Sequence, residues 1–392
     1  MELYEKNILI TGGTGFLGAN LVHKLIQKMH IPESQIKVFY LKNTSIQAIE
    51  EFEQIQFFEG NILNKGDLKQ ACKEVDVIFH TVGNTSFDPR IKKMQWLVNV
   101  EGTRNLLQVM KKNENIQKLC YTSTVNSLGC PNPIGSLGTI ETSNPYENEK
   151  KVHSFDSSED ALSFADAVHN ERAPKKWWKK IGIGYYDSKL VAQEMVLRAV
   201  RDQGLNIVSV LPGTFFGPYD IFIGNGMYLI RIYNNAMPGV LKAGLPLAHV
   251  SDIVRGHILA MEKGKKGERY IITGRKEDNL FQKEMAHKIA EVLQQKEPQK
   301  EIKSNFKVFP PRIAKIGAFF SELYSKIFNK PCLLSRAMIK AASYPSFYSN
   351  KKAKQELGYV PQYSFEKAVE DMYEYYQKID YFSKKTRQID EK

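Results

Sequence analysis

Short apolar runs alternate with amphipathic stretches along the first two thirds of the chain. Residues 7–11 read as a strand, and IKVFYL (36–41), IQFFEGNI (55–62), VDVIFHTVG (75–83) and KLCYTSTVN (118–126) repeat the pattern. NIVSVLPG (206–213) adds one more, and ERYIITG (268–274) is expected to be the last. Between them, NLVHKLIQKM, NKGDLKQACKEV and VEGTRNLLQVMKKN carry helical spacing. Strands alternating with helices predict βαβ units and a parallel sheet. The expected fold class is therefore α/β, a Rossmann-type doubly wound sheet with a smaller C-terminal lobe. The sheet domain is assigned to residues 1–213, with 249–274 returning to it and an insertion at about 151–180. The lobe takes 214–248 and 275–382, where FQKEMAHKIAEVLQQ, PRIAKIGAFFSELYSKIF and FEKAVEDMYEYYQKI read as helices. Residues 383–392 form a charged tail.

Composition narrows the class without naming a function. The 392 residues are 42% hydrophobic and 25% charged, ordinary for a globular chain. The four cysteines form no CxxC pair and no ligand spacing with histidine, which argues against structural zinc and for a reducing compartment. No apolar run approaches the ~18 residues of a membrane span. The first strand begins so early that no signal peptide is expected, and the expected location is cytoplasmic. A net charge of +12 favours an anionic substrate, cofactor or membrane surface, or reflects solvated lysines alone. No basic stripe interleaved with aromatics points to nucleic acid.

ILITGGTGFLG places Gly12, Gly15 and Gly18 between a strand and a helix. Glycine there allows a tight turn and close approach of backbone amides to a pyrophosphate, and the following helix N-terminus favours anions. Dinucleotide binding follows. After the second strand stand Lys42, Thr44 and Ser45 with no carboxylate. A basic residue there suits the extra phosphate of NADP, so NADP is expected over NAD. Further on, IGYYDSKLVAQ sets Tyr185 four and Tyr186 three residues before Lys189. Both spacings share a helix face, so spacing alone leaves the choice of tyrosine open.

These segments resemble the extended short-chain dehydrogenase/reductase family, in its dihydroflavonol reductase and 3β-hydroxysteroid dehydrogenase-like branch. The resemblance rests on TGGTGFLG, GNI at 60–62, IFHTVG at 78–83, NVEGTRNLL at 99–107, YTSTVNSLG at 121–129, YYDSK, LPGTFFGP at 211–218, AHVSDIVRGHILAMEKGKKGERYIITG and YSNKKAKQELGYVP. It implies cofactor contacts at Gly12, Thr14, Gly15, Phe16, Leu17, Gly18, Lys42, Asn61, Ile62, Thr81, Val82, Gly83, Pro212 and Thr214. Asn61 stands where the family usually has Asp, and Asn99 would be its structural asparagine.

The same resemblance resolves the tyrosine question: in YxxxK, Tyr185 is the general acid/base and Lys189 its partner, which also holds the nicotinamide ribose. Thr124, five residues before Gly129, becomes the orienting hydroxyl, with Ser123 as the alternate. A tyrosine near pKa 10 needs such a cation to serve at neutral pH. Asn84, Ser86, Phe87, Val125, Asn126 and Phe215 are expected at the substrate, with Thr85, Phe216, Met227, Tyr228 and Ile232 nearby. Their apolar character suggests a hydrophobic small-molecule substrate, and no metal is expected. His80 and His257 are read as packing or hydrogen-bonding residues. The family also implies a homodimer paired through residues 99–112 and 185–201.

The span from Thr124 to Tyr185 exceeds the family's usual spacing. The excess holds the helix-like SSEDALSFADAVHNER and a Trp177-Trp178 pair among lysines, read as a lid, a substrate wall or a peripheral membrane patch. PRIAKIGAFFSELYSKIF raises the same membrane question. The leading function is NADP(H)-linked interconversion of a ketone and a secondary alcohol. A sugar-nucleotide epimerase or dehydratase is the first rival, although Leu211, Pro212 and Gly213 depart from that group's usual turn. A non-catalytic dinucleotide-binding regulator is the second.

Overall fold

A computed structural model of the chain describes residues 1–128, 182–330, 332, 334–342 and 347–382. The insertion at 151–180, its tryptophan pair and the 383–392 tail lie outside the described residues. Seven strands form the main sheet: β1 (Ile8–Thr11), β2 (Ile36–Tyr40), β3 (Gln56–Glu59), β4 (Val77–His80), β5 (Lys118–Thr122), β6 (Ile207–Pro212) and β9 (Arg269–Ile272). Their order is β3-β2-β1-β4-β5-β6-β9, and every pair is parallel. The order reverses between β1 and β4, the switch point where such sheets bind ligands at their carboxyl ends.

The strands are apolar because both sheet faces are covered. Ile8, Ile10, Val38, Val77, Phe79, Val208 and Ile272 pack on one face with Leu21, Val22, Ile253 and Met261. Leu9, Phe39, Ile78, Leu119 and Ile207 pack on the other with Leu68, Leu106, Leu107 and Val196. Lys118 breaks the apolar pattern of β5 and is buried. Its ammonium donates to the carbonyls of Met261 and Gly264, at the C-terminal end of helix Val250–Lys263, where a cation complements the helix dipole.

ERYIITG is the last strand of the main sheet but not of the chain. A second sheet, ordered β10-β8-β7, comprises β7 (Thr214–Phe216), β8 (Gly244–His249) and β10 (Asn279–Phe281). These strands were not anticipated, because they are short and β8 contains Pro246. Helices Gly226–Tyr233, Gln282–Lys296 and Phe365–Lys378 supply Leu229, Ile289, Leu293, Val369 and Met372 to its core. Phe216 and Ile232, expected near the substrate, are fully covered in this core.

Two glycines join the sheets. A Cβ on Gly213 would stand 2.5 Å from the Pro246 carbonyl oxygen, and one on Gly274 would stand 2.1 Å from that of Leu247. Both obstacles are β8 backbone, and Gly274 N–H donates to Leu247 O. Gly274→Ala therefore forces the sheets apart. It should cost about 1–3 kcal/mol and lower the melting temperature by several degrees in a calorimetric scan.

Candidate active site

The carboxyl ends of β1, β4, β5 and β6 supply the site. Gly12 follows β1 with φ +77°, and a Cβ there would come within 3.0 Å of Val82 N. A Cβ on Gly18 would stand 2.2 Å from the Gly12 carbonyl oxygen, so the helix Phe16–His23 meets the turn without side chains between them. Gly15 caps that helix without a side chain, leaving its first-turn amides to an external acceptor. A pyrophosphate suits this cradle. Thr14 and Leu17 are buried. Phe16 meets Phe215 with ring centroids 5.0 Å apart, bridging the loop and β7.

Thr81 Oγ1 donates to Thr11 O, so this hydroxyl holds the β1 and β4 ends together. Lys42 is exposed, 3.9 Å from Glu59. Asn61 is exposed, and its side-chain oxygen accepts from Leu63 N–H. Ile62 is buried against the space left by Gly102. Pro212 ends β6 and Thr214 begins β7, at the crossing between sheets.

The two tyrosines occupy different environments. Both lie in the first turn of helix Gly184–Gln203. Tyr186 is buried with Ile183 and Ala341, whereas Tyr185 is only partly covered. Tyr185 also lies within hydrogen-bond reach of Thr124. Thr124 Oγ1 accepts from Asn126 N–H and Nδ2–H, both at 3.3 Å. Its own proton is thereby free to go to the phenolic oxygen. Burial raises the Tyr185 pKa, and the Thr124 bond opposes that rise by favouring the phenolate. Ser123 instead donates to Ser127 Oγ at 2.9 Å, while Ser127 donates to Thr124 O.

Lys189, one helical turn after Tyr185, is buried and donates to Thr122 O at 2.9 Å. Burial pulls its pKa from 10.5 down to about 8. A Cβ on Gly83 would come within 3.1 Å of this ammonium, so glycine leaves its passage open. Behind the pair, Asn99 Nδ2 donates to Ser188 Oγ and Asn84 O, and Asn99 Oδ1 accepts from Asn84 N–H. Ser188 Oγ in turn donates to Tyr185 O.

Phe87 crosses Tyr185 edge-on with centroids 6.0 Å apart, and Ser86 Oγ accepts from Asp88 N–H. Val125 was expected to face the substrate, but it is buried with Leu128, Leu211, Ile271 and Tyr348. Asn126 positions Thr124. Ser188, Gly83's spacing role and the Asn126 bonds escaped the sequence reading; only Gly83, a glycine just past a strand, left a local signal. Both expected histidines are hydrogen-bonded. His80 Nδ1 meets Thr11 Oγ1 at 2.7 Å, and His257 bridges Thr122 Oγ1 and Ile253 O. Burial lowers them to about 3 and about 4, so both are neutral at physiological pH.

Residues 9–148 match the 3-beta hydroxysteroid dehydrogenase/isomerase family, and residues 179–273 match the NAD dependent epimerase/dehydratase family. Two family models, of oxidoreductases and of NAD-dependent epimerases and dehydratases, thus match successive parts of the chain. A Synechocystis sp. protein carrying the provisional name dihydroflavonol 4-reductase is 27% identical, covering 95% of each chain. The 3-beta-hydroxysteroid dehydrogenase of Mycolicibacterium neoaurum is 24% identical over 94% of this chain and 91% of its own. Among solved structures, the dTDP-glucose 4,6-dehydratase DesIV of Streptomyces venezuelae, with NAD bound, superposes with a TM-score of 0.65. It is 19% identical, covering 95% of this chain and 97% of its own. The relatives named as dehydrogenases and reductases, together with the family match over 9–148, support an NAD(P)-dependent oxidoreductase.

The lowered Lys189 pKa carries a signed expectation. Between about 8 and 10.5 the folded protein holds fewer protons at this residue than the unfolded chain, so folding gains stability as pH rises through that window. Lys189→Met removes that gain. At pH 7 the variant should melt within a few degrees of wild type, or above it, while losing roughly 100-fold or more in turnover. Its melting temperature should then fall relative to wild type between pH 8 and 10, as read by circular dichroism.

Proposed function

We propose that this protein interconverts a ketone and a secondary alcohol on a hydrophobic small molecule, with NADP(H) as the hydride carrier. The observation that carries the reading is the arrangement of Thr124, Tyr185 and Lys189 at the carboxyl edge of β5, beside the glycine cradle. The bound nicotinamide would supply or accept the hydride. Tyr185 would deliver the proton to the carbonyl oxygen on reduction and remove it on oxidation. Thr124, its acceptor positions filled by Asn126, would donate to the oxygen that carries charge. The Lys189 ammonium would stabilise the phenolate from within a buried, weakly screened setting.

Phe87 over Tyr185, and Phe215 against Phe16, support an apolar substrate. So do the names of the relatives, a 3-beta-hydroxysteroid dehydrogenase and a protein provisionally named dihydroflavonol 4-reductase. Lys42, with no carboxylate in the 41–45 turn, supports NADP; its exposure leaves it free to leave Glu59 for a 2′-phosphate.

Assays of NADPH- and NADH-linked turnover on a panel of hydroxysteroids, oxosteroids and dihydroflavonols test the reading. Tyr185→Phe should lower kcat by roughly 100-fold or more, with NADPH affinity within a few-fold by fluorescence titration. Tyr186→Phe should remain active; an inactive Tyr186→Phe beside an active Tyr185→Phe would refute the assignment. Lys42→Ala should shift the kcat/KM ratio for NADPH over NADH toward NADH by about tenfold, the size of one charge-assisted contact.

A further inference from the structure

Helix Pro311–Phe328 is turned inside out. It packs on the protein through Ala314, Ala318 and Ser325, its only buried residues. Ile313, Ile316, Phe319, Phe320, Leu323, Tyr324, Ile327 and Phe328 are instead between 42% and 65% exposed. Positions 313, 316, 320, 323 and 327 recur at three- and four-residue steps, so they form one continuous stripe. A surface helix normally buries such a stripe, and an exposed apolar patch of this extent marks an interaction face. The exposed aromatics pair with one another, Phe319 with Phe320 and Tyr324 with Phe328.

The charges beside the stripe indicate what covers it. Arg312, Lys315 and Lys326 are exposed on the helix, and Lys307 and Lys330 are exposed just beyond its two ends. The single acidic residue of the helix, Glu322, is occupied by Arg336, accepting from its backbone N–H at 2.6 Å and its Nε–H at 2.8 Å. The face is thus apolar at its centre and cationic at its borders, the composition of helices that lie in the plane of an anionic bilayer. No described helix is long and apolar enough to cross a membrane.

The protein-facing side of the helix is tied to the loop beside the candidate active site. Arg90 Nη1 donates to Ser325 O on this helix and to Asn329 Oδ1 just past its C-terminal end. Ser335 Oγ donates to Phe87 O, and the Phe87 ring stands over Tyr185.

We propose that helix Pro311–Phe328 docks the protein on an anionic phospholipid bilayer, with its outward apolar stripe in the interface. The proposal does not depend on the hydride-transfer reading, because docking is read without substrate.

The test uses the full chain with two vesicle compositions, phosphatidylcholine alone and phosphatidylcholine with about one third phosphatidylglycerol. Wild type should float with the anionic vesicles and lose that binding at high salt. The double variant Phe320→Glu/Ile327→Glu, at two exposed positions, should bind at least tenfold more weakly with unchanged NADPH affinity and an unchanged mass by light scattering. Lys315→Glu/Lys326→Glu, which leaves the stripe intact, should weaken binding to anionic vesicles by a similar factor. Wild type that ignores anionic vesicles, or binds neutral ones equally, overturns the proposal. So does a Phe320→Glu/Ile327→Glu variant that falls to a smaller assembly, since the stripe would then be a contact between copies of the chain.

Discussion

An ammonium held away from water at the carboxyl end of β5 is the constraint on which the site depends. Lys189 is carried there by a helix and fastened to the Thr122 carbonyl. Burial makes its charge costly, which the lowered pKa reports. In the proposed reaction the same burial would leave its field weakly screened. Gly83 leaves the space it passes through, and Asn99 and Ser188 brace the loop and helix on either side. Loosening any of these would let water reach the lysine.

A second constraint acts between the sheets. β8 is pressed against the main sheet at Gly213 and Gly274, where any side chain would strike backbone. That contact brings β7, and with it Phe215, against Phe16 of the glycine loop. Cofactor cradle and lobe therefore meet through a ring pair, and the apolar wall of the site is built from both. The loop at 84–91 completes the wall and connects it outward to the helix whose apolar side faces away from the protein.

Much of the fold was legible because a parallel sheet covered on both faces leaves compact apolar runs in the chain. Seven strand-like runs with helical stretches between several of them, and a glycine turn directly after a strand, admit few topologies, and the strand order obeys them. The second sheet was not legible. Three-residue strands such as Thr214–Phe216 and Asn279–Phe281 carry no periodicity, and Pro246 inside Gly244–His249 reads as a breaker. Lys118 was likewise invisible, since a lysine opening a strand reads as solvated until a helix end closes over it.

The chain by itself determined the residue types and their order: a glycine triplet after the first strand, a hydroxyl at 124, a tyrosine four before a lysine. Local geometry suffices for these, because turns and helical turns are set by near neighbours. It could not choose between Tyr185 and Tyr186, both one turn from the same lysine. Tertiary packing gives the two different surroundings, burying Tyr186 among Ile183 and Ala341 and leaving Tyr185 beside Thr124. It also decided that Val125 is core, that Asn126 serves Thr124, and that a helix at 311–328 shows its small residues to the protein. Each depends on contacts between residues far apart in the chain, and no local pattern encodes which face of an element its neighbours will cover.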